Sequence, residues 1–210
     1  MNIRSRVLHG LYAVTDSGAA PATPLAEAVA AAIRGGARLV QYRDKSGDAA
    51  RRLREAQALL TVCREHEVPL IINDDVDLAV EVGADGVHLG REDAPLDEVR
   101  VRAGPRAILG MSCYDSLERA LAAEQAGADY VAFGSFFASP SKPRAVRAPL
   151  ELLRTARQRL NVPCCAIGGI TPDNGASLVA AGADMLAVIS GLFASGDIES
   201  AARRYARLFL

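Results

Sequence analysis

The chain has 210 residues, a formal net charge of −1, and half of its residues are hydrophobic. That is enough apolar matter for one large core in one domain spanning 1–210, and it excludes a disordered chain. The near-zero charge leaves no broad positive field for nucleic acid, and no apolar run approaches the roughly 18 residues of a membrane span.

Short β-rich runs alternate with helical patterns from one end to the other. Strands are predicted at 11–16, 38–45, 69–74, 86–90, 107–113, 130–135, 163–168 and 185–190. Most are nearly continuous apolar runs, as expected of parallel strands covered on both faces. The clearest helical stretches between them are 25–34, 49–66, 116–126 and 150–160. Gly36-Ala37-Arg38, Gly83-Ala84-Asp85, Gly127-Ala128-Asp129 and Gly182-Ala183-Asp184 each close a helix and open a strand. Glycine just past a helix end is a C-cap signal, and its recurrence suggests copies of one unit. Eight strand–helix units in this length predict an α/β fold of the (β/α)8 TIM-barrel type. The main rival is an open doubly wound sheet, which would carry a glycine-rich turn after its first strand. Thr15-Asp16-Ser17-Gly18 stands there and does not match GxGxxG.

The segment 1–10 is mixed and polar and lacks the apolar core of a signal peptide. Cys63, Cys113, Cys164 and Cys165 show no CxxC spacing, so buried reduced thiols are expected rather than zinc ligands. A cytoplasmic location follows.

In a TIM barrel the active site lies at the carboxyl ends of the strands. The polar residues there are Asp16, the Gln41, Arg43, Lys45 trio, Asn73-Asp74-Asp75, His88 with Asp93, Ser112, Ser139, Ser141, Lys142, Gly168-Gly169 and Ser190. The opposite ends read mainly as Gly, Ala and Pro. Strand alternation projects Gln41, Arg43 and Lys45 to one side, where a polyanion would satisfy the two cations. The alternative is an internal ion-pair network with Asp74 and Asp93. Asp74, with Asp93 beyond the next strand, suggests Mg²⁺, which takes one or two carboxylates plus water and phosphate oxygens. Asp75 reads better as a helix cap. Gly168-Gly169 with Ser190, and a short helix at 191–193, suit a phosphate, the alternative being tight turn packing. The loop 139–144 suits a phosphate lid or a solvated basic loop. His88 is balanced between a structural and a rim role. Cys113 is not read as a nucleophile.

Gln41-Tyr-Arg-Asp-Lys45, Ile71-Ile-Asn-Asp-Asp75, Gly83-Ala-Asp-Gly-Val-His-Leu-Gly-Arg-Glu-Asp93, Gly110-Met-Ser112 and Ile167-Gly-Gly-Ile-Thr171 together resemble the thiamine-phosphate synthase family, in the expected order from Tyr12 to about Phe193. The resemblance implies a barrel that joins a hydroxymethylpyrimidine diphosphate to a thiazole phosphate with Mg²⁺, releasing pyrophosphate. It assigns Gln41, Tyr42, Arg43, Asp44, Lys45, Asn73, Ser112 and Lys142 to the pyrimidine diphosphate, with Arg43, Lys45, Ser112 and Lys142 acting in catalysis. It makes Asp74 and Asp93 the metal ligands, and gives Ser139, Pro140, Ser141, Gly169, Ile189 and Ser190 to the thiazole phosphate. The loop after the sixth strand departs from the family's usual Gly-Pro-Ile-Tyr-Pro-Thr-x-Thr-Lys: here it is Gly134-Ser-Phe-Phe-Ala-Ser-Pro-Ser-Lys142. The implied partners are two phosphorylated small molecules, with no nucleic acid and no membrane; a homodimer is one assembly open to it. A thiazole tautomerase of similar fold would not need Arg43, Lys45, Asn73 and the aspartate pair together. A non-catalytic phosphate-sensing barrel would gain little from metal-binding carboxylates.

Overall fold

The computed structural model describes residues 8–17, 23–138 and 147–210. Eight strands run parallel in chain order and the last pairs with the first, closing a barrel. They are β1 (Gly10–Val14), β2 (Ala37–Tyr42), β3 (Leu70–Asn73), β4 (Gly86–Leu89), β5 (Ile108–Tyr114), β6 (Tyr130–Phe133), β7 (Cys164–Ile167) and β8 (Met185–Val188). The helices that cover them are α1 (Leu25–Arg34), α2 (Ala49–Glu65), α3 (Val76–Val82), α4 (Leu96–Ala103), α5 (Leu117–Gln125), α6 (Leu150–Arg159), α7 (Gly175–Ala180), α8 (Ser190–Phe193) and α9 (Ile198–Ala206). No described helix is long and apolar enough to cross a membrane.

Local sequence explains most boundaries. Asp48, Asp75, Ser116 and Asp197 each accept a backbone N–H from the first turn of α2, α3, α5 and α9. Asp75 is thus the helix cap that its position suggested. Several strands stop short of their predicted ends. Arg43 leaves the β2 ladder and gives its N–H to Thr15 Oγ1 at 2.9 Å. Asp74 ends β3 by taking a left-handed backbone with φ of 63°. Strands splay at a barrel mouth, so rim residues trade ladder bonds for local partners.

The glycines of the four repeated turns all have positive φ, from 73° at Gly83 to 110° at Gly182. The aspartates beside three of them do something the sequence reading missed. Asp85 accepts the N–H of Leu70, Asp129 that of Leu109 and Asp184 that of Cys164, each at 2.9 Å. Their own N–H groups return bonds to the carbonyls of the same three residues. The amino end of the barrel is therefore closed by carboxylate clamps on β3, β5 and β7, and is not the plain Gly, Ala and Pro end expected. At the amino ends of these strands the N–H groups of Leu70, Leu109 and Cys164 take an aspartate oxygen as their partner.

Alternation splits the apolar residues into two layers. Leu11, Val40, Ile72, Val87, Leu109 and Val131 face the helices. Tyr12, Leu39, Ile71, Ile108, Tyr130 and Met185 fill the barrel. Above this inner layer lies a chain of polar side chains. Gln41 Nε2 donates to Tyr12 Oη at 2.7 Å, and Tyr12 Oη lies 2.7 Å from Tyr130 Oη. His88 bridges the other end, with Nδ1 2.9 Å from Tyr130 Oη and Nε2 2.9 Å from Ser112 Oγ. Gln41 and His88 are both buried, so these bonds replace the water they have lost.

Gly110 makes room for Tyr130: a Cβ there would lie 2.1 Å from Tyr130 Cζ. Gly110→Ala should therefore lower stability by roughly 3 kcal/mol through overpacking, read as a lower midpoint in urea. An unchanged midpoint would show that Tyr130 moves aside freely. Burial pushes the His88 imidazole down from 6.5 to about 4, with the charge of Asp93 opposing only in part. Above pH 6.5 both folded and unfolded chains keep this ring neutral. Below it the unfolded chain takes a proton that the folded chain refuses. Stability should then fall between about pH 6.5 and 4, by roughly 3 kcal/mol from this residue. Unfolding free energies across that range should slope less in His88→Gln than in the parent; equal slopes would refute the assignment.

Candidate active site

Four strand ends on one side of the mouth carry the charged groups. Gln41 and Arg43 rise from β2, Asn73 and Asp74 from β3, Ser112 from β5, and Asp93 from the loop after β4. Arg43 Nη1 is paired with Asp16 Oδ1, at the end of β1. Lys45 Nζ lies 3.5 Å from Asp74 Oδ2. The ion-pair alternative therefore holds in part: Lys45 meets Asp74 as that reading had it, whereas Arg43 meets Asp16. Asp16 was seen as a rim residue but given no partner. Arg43 and Asp16 are 27 positions apart, and only closure of the barrel joins them.

Asp74 and Asp93 face each other within hydrogen-bonding reach. Burial pushes the Asp93 carboxyl up; the Gly90 N–H opposes this and the neighbouring charge of Asp74 adds to it. Two carboxylates so placed repel unless a proton or a cation lies between them. Among the described residues no group of three or more His, Cys, Asp or Glu side chains encloses a metal. A pair of carboxylates beside an anionic ligand suits Mg²⁺, which draws the rest of its shell from water and phosphate. The donor set fits that ion. The left-handed backbone of Asp74 is a strained conformation of the kind found at functional sites.

The structure separates the Gln41–Lys45 motif by direction. Tyr42 points outward into the helix layer, and its hydroxyl donates to Glu55 Oε2 at 2.8 Å. Burial, and then Glu55, push that phenol well up. Asp44 accepts from Ser46 N and Ser46 Oγ at 2.7 and 3.1 Å. Burial pushes Asp44 up, but the Ser46 bonds and Arg51 outweigh it and hold the carboxyl low. Both side chains line a cavity of about 150 Å³ beside the mouth, with Asp16, Arg43 and Arg51. Of the five contiguous residues, Gln41 alone turns into the barrel interior and is bonded there.

On the far side of the mouth, α8 begins at Ser190, the short helix expected after β8. Ile189 packs against the inner core. Gly168 and Gly169 are required by the loop after β6: a Cβ on Gly168 would lie 2.0 Å from Ser135 Oγ, and one on Gly169 2.3 Å from the Ala138 carbonyl. Tight turn packing, the alternative for these glycines, is thus present. Asn174 Nδ2 donates to the Gly169 carbonyl at 3.0 Å and fixes the turn. Ser139, Pro140, Ser141 and Lys142 lie outside the described residues.

Sequence reasoning did not pair Ser112 with His88, which are 24 positions apart. The contact looks like half of a nucleophilic triad. Its third member is the Tyr130 phenol, however, and the imidazole at about 4 is a weak base at neutral pH. Cys113 is buried and its thiol is pushed up to about 12, so it is no nucleophile either. Cys63 and Cys164 are raised to about 12 as well, again by burial.

A family model described as thiamine monophosphate synthase matches residues 11–192. A thiamine-phosphate synthase of Nitrosococcus oceani is 53% identical over 205 residues, covering 98% of this chain and 94% of the relative. One from Thioalkalivibrio sulfidiphilus is 54% identical over 202 residues, covering 96% of each. Among solved structures, thiamine phosphate pyrophosphorylase from Pyrococcus furiosus superposes with a TM-score of 0.86 at 36% identity, covering 99% of this chain and 97% of that one. The barrel, its order of motifs and these likenesses agree: the chain belongs to the thiamine monophosphate synthase family.

Proposed function

We infer that this transferase of the thiamine-phosphate synthase family binds its pyrimidine diphosphate over the β2, β3 and β5 ends and its thiazole phosphate over the β7 and β8 ends. The first substrate then lies against Gln41, Arg43, Lys45, Asn73, Ser112 and Lys142. The second lies against Gly169, Ile189 and Ser190, with Ser139, Pro140 and Ser141 from the loop after β6. Tyr42 and Asp44 support the first site from behind. The observation that carries this reading is the cationic pair Arg43 and Lys45 beside the facing carboxylates Asp74 and Asp93. Mg²⁺ held by Asp74 and Asp93 would neutralise charge on the departing pyrophosphate. The four unpaired cysteines suit the cytoplasmic location expected from the sequence.

The residues favour a route in which the pyrimidine methylene carbon loses pyrophosphate before the thiazole nitrogen bonds to it. Among the described residues the mouth lacks an activated nucleophile, as the states of His88 and Cys113 argue, so a covalent enzyme intermediate has no support there. Arg43, Lys45 and Lys142 instead offer positive charge to a leaving group that gains negative charge as it departs. Such stabilisation accelerates a step only where charge grows in the transition state. Diphosphate would draw Arg43 from Asp16 and Lys45 from Asp74, leaving Asp74 free to face the metal. The electron-rich aminopyrimidine stabilises the cation left behind. The thiazole needs only to be positioned for capture.

Asp74→Asn and Asp93→Asn should each cut pyrophosphate release by about a hundredfold or more while the thermal midpoint stays near that of the parent. Asparagine tolerates the left-handed backbone of Asp74, so the fold is spared. Full activity in excess chelator would sink the metal assignment. Arg43→Ala should lower kcat as well as raise KM for the pyrimidine substrate. An electron-withdrawing group on the pyrimidine should slow single-turnover chemistry strongly, and rates indifferent to it would leave direct displacement as the route.

A further inference from the structure

The turn that carries Asp93 is held from outside by Tyr114. This residue lies just beyond Ser112, where the pairing of β5 with β6 shifts its register. Its backbone is left-handed, with φ of 57°, and its carbonyl accepts the Gly134 N–H at 2.9 Å. A tyrosine in that conformation is strained. Core burial does not account for it, because the residue is 38% exposed. The conformation instead sends the ring toward the loop after β4.

Arg91 of that loop has its Cζ 5.2 Å from the Tyr114 ring centroid, and Arg119, in the first turn of α5, has its Cζ 5.8 Å from it. Both distances fall within the range of attraction between a guanidinium and an aromatic ring. Among the described residues neither arginine has a carboxylate partner. The phenol end reaches Gly90: a Cβ there would lie 3.8 Å from Tyr114 Oη and 3.2 Å from Asp93 Oδ2. Gly90 in turn donates its N–H to Asp93 Oδ2. The ring therefore bears on Gly90 and Arg91, which open the turn, and Arg119 ties it to α5. The two carboxylates are not equally anchored. Asp74 follows directly on β3, and its N–H donates to the His88 carbonyl at 2.8 Å. Asp93 stands four positions beyond the end of β4, in a loop.

We propose that Tyr114 is a positioning residue for the metal site: its ring, clamped by Arg91 and Arg119, fixes the 90–93 turn so that Asp93 faces Asp74 before the ion arrives. This rests on the metal assignment made above. Mg²⁺ demands near-ideal octahedral geometry, and a loop ligand that must be ordered on binding lowers affinity. Groups behind a ligand that hold its orientation are therefore felt in metal affinity, on the order of ten- to a hundredfold. Charge alone would act the other way. Two cations beside a cation site repel the ion, so removing one would tighten binding if charge were the whole effect. Positioning makes the same removal loosen it.

The probe is Mn²⁺ added to the ligand-free protein, with the free ion followed by electron paramagnetic resonance. Tyr114→Leu should weaken Mn²⁺ binding about tenfold. The Mg²⁺ concentration for half-maximal turnover should rise by the same factor, with kcat at saturating Mg²⁺ and the thermal midpoint near those of the parent. Tyr114→Phe keeps the ring and should keep the parent's affinity. Arg119→Met should weaken Mn²⁺ binding about threefold although it deletes a nearby positive charge. Tyr114→Gly suits the left-handed backbone and lacks the ring, so it should repeat the loss if the leucine variant folds poorly. Parent-like Mn²⁺ affinity in folded Tyr114→Leu or Tyr114→Gly, or tighter binding in Arg119→Met, would overturn the positioning role alone. A parent that binds no Mn²⁺, or an Asp93→Asn variant that binds it as tightly as the parent, would overturn the metal assignment itself, and the role of Tyr114 with it.

Discussion

Closing eight parallel strands on themselves gives every inward side chain two options: it fills the interior or it bonds to another inward side chain. That constraint shapes the rest of the molecule. The lower interior is filled by Leu39, Ile71, Ile108 and Met185. The upper interior is filled by phenols whose hydroxyls must find partners, because water is excluded. Tyr12 and Tyr130 meet near the axis and hand their remaining bonds to Gln41 and His88. The polar layer is thus both the top of the hydrophobic core and the floor of the site. On the proposed reading packing and recognition share the same atoms, and a change at Gly110 reaches Ser112 through Tyr130 and His88.

The charged rim obeys a different economy. Arg43 and Lys45 are paired with Asp16 and Asp74, so neither cation stands bare before substrate arrives. The pairs hold the side chains near the mouth and can be exchanged for phosphate at little cost, because the cations keep a negative partner throughout. The carboxylates gain a different partner when this happens. Asp74 and Asp93 already repel each other, which favours any cation that comes between them. On the proposed reading, the same residues stabilise the empty rim and would reorganise when a polyanion and a metal enter together.

Much of this was legible in the sequence, for reasons that also mark where legibility stops. Parallel strands buried on both faces read as apolar runs, and Asp75 announces a helix start because a cap acts on a residue three ahead. The short helix at Ser190 and the inert Cys113 were readable on similar local grounds. What was not local was not readable. The clamps of Asp85, Asp129 and Asp184 act on the preceding strand, and nothing in a Gly-Ala-Asp turn names that partner. Tyr42 and Asp44 were assigned to the pyrimidine site by the resemblance, although Tyr42 turns to the outside, where Glu55 of α2 receives its hydroxyl. The environment of His88 depends on Tyr130, 42 positions away, and on Ser112, so its burial could not be weighed against a rim role until the barrel was closed.

A barrel of this kind does not by itself specify chemistry, since the same framework carries many unrelated reactions. What distinguishes this one is how the site is divided between rigid and exchangeable parts. The groups that would read the heterocycle, Gln41 and Ser112, are tied into the dry interior by bonds that no ligand needs to break. The groups that would hold the phosphates, Arg43 and Lys45, are tied only to carboxylates at the mouth. A reaction whose transition state gains charge on a leaving diphosphate benefits from this division. The ring would be held in one orientation while the charge around the leaving group is free to regroup. Reversing the division, with loose heterocycle contacts and buried phosphate contacts, would give tight binding of the diphosphate but little control over which carbon is exposed to the incoming nitrogen. On the proposed reading, the placement of the tyrosine layer directly beneath the rim is the structural feature that would keep the two functions apart.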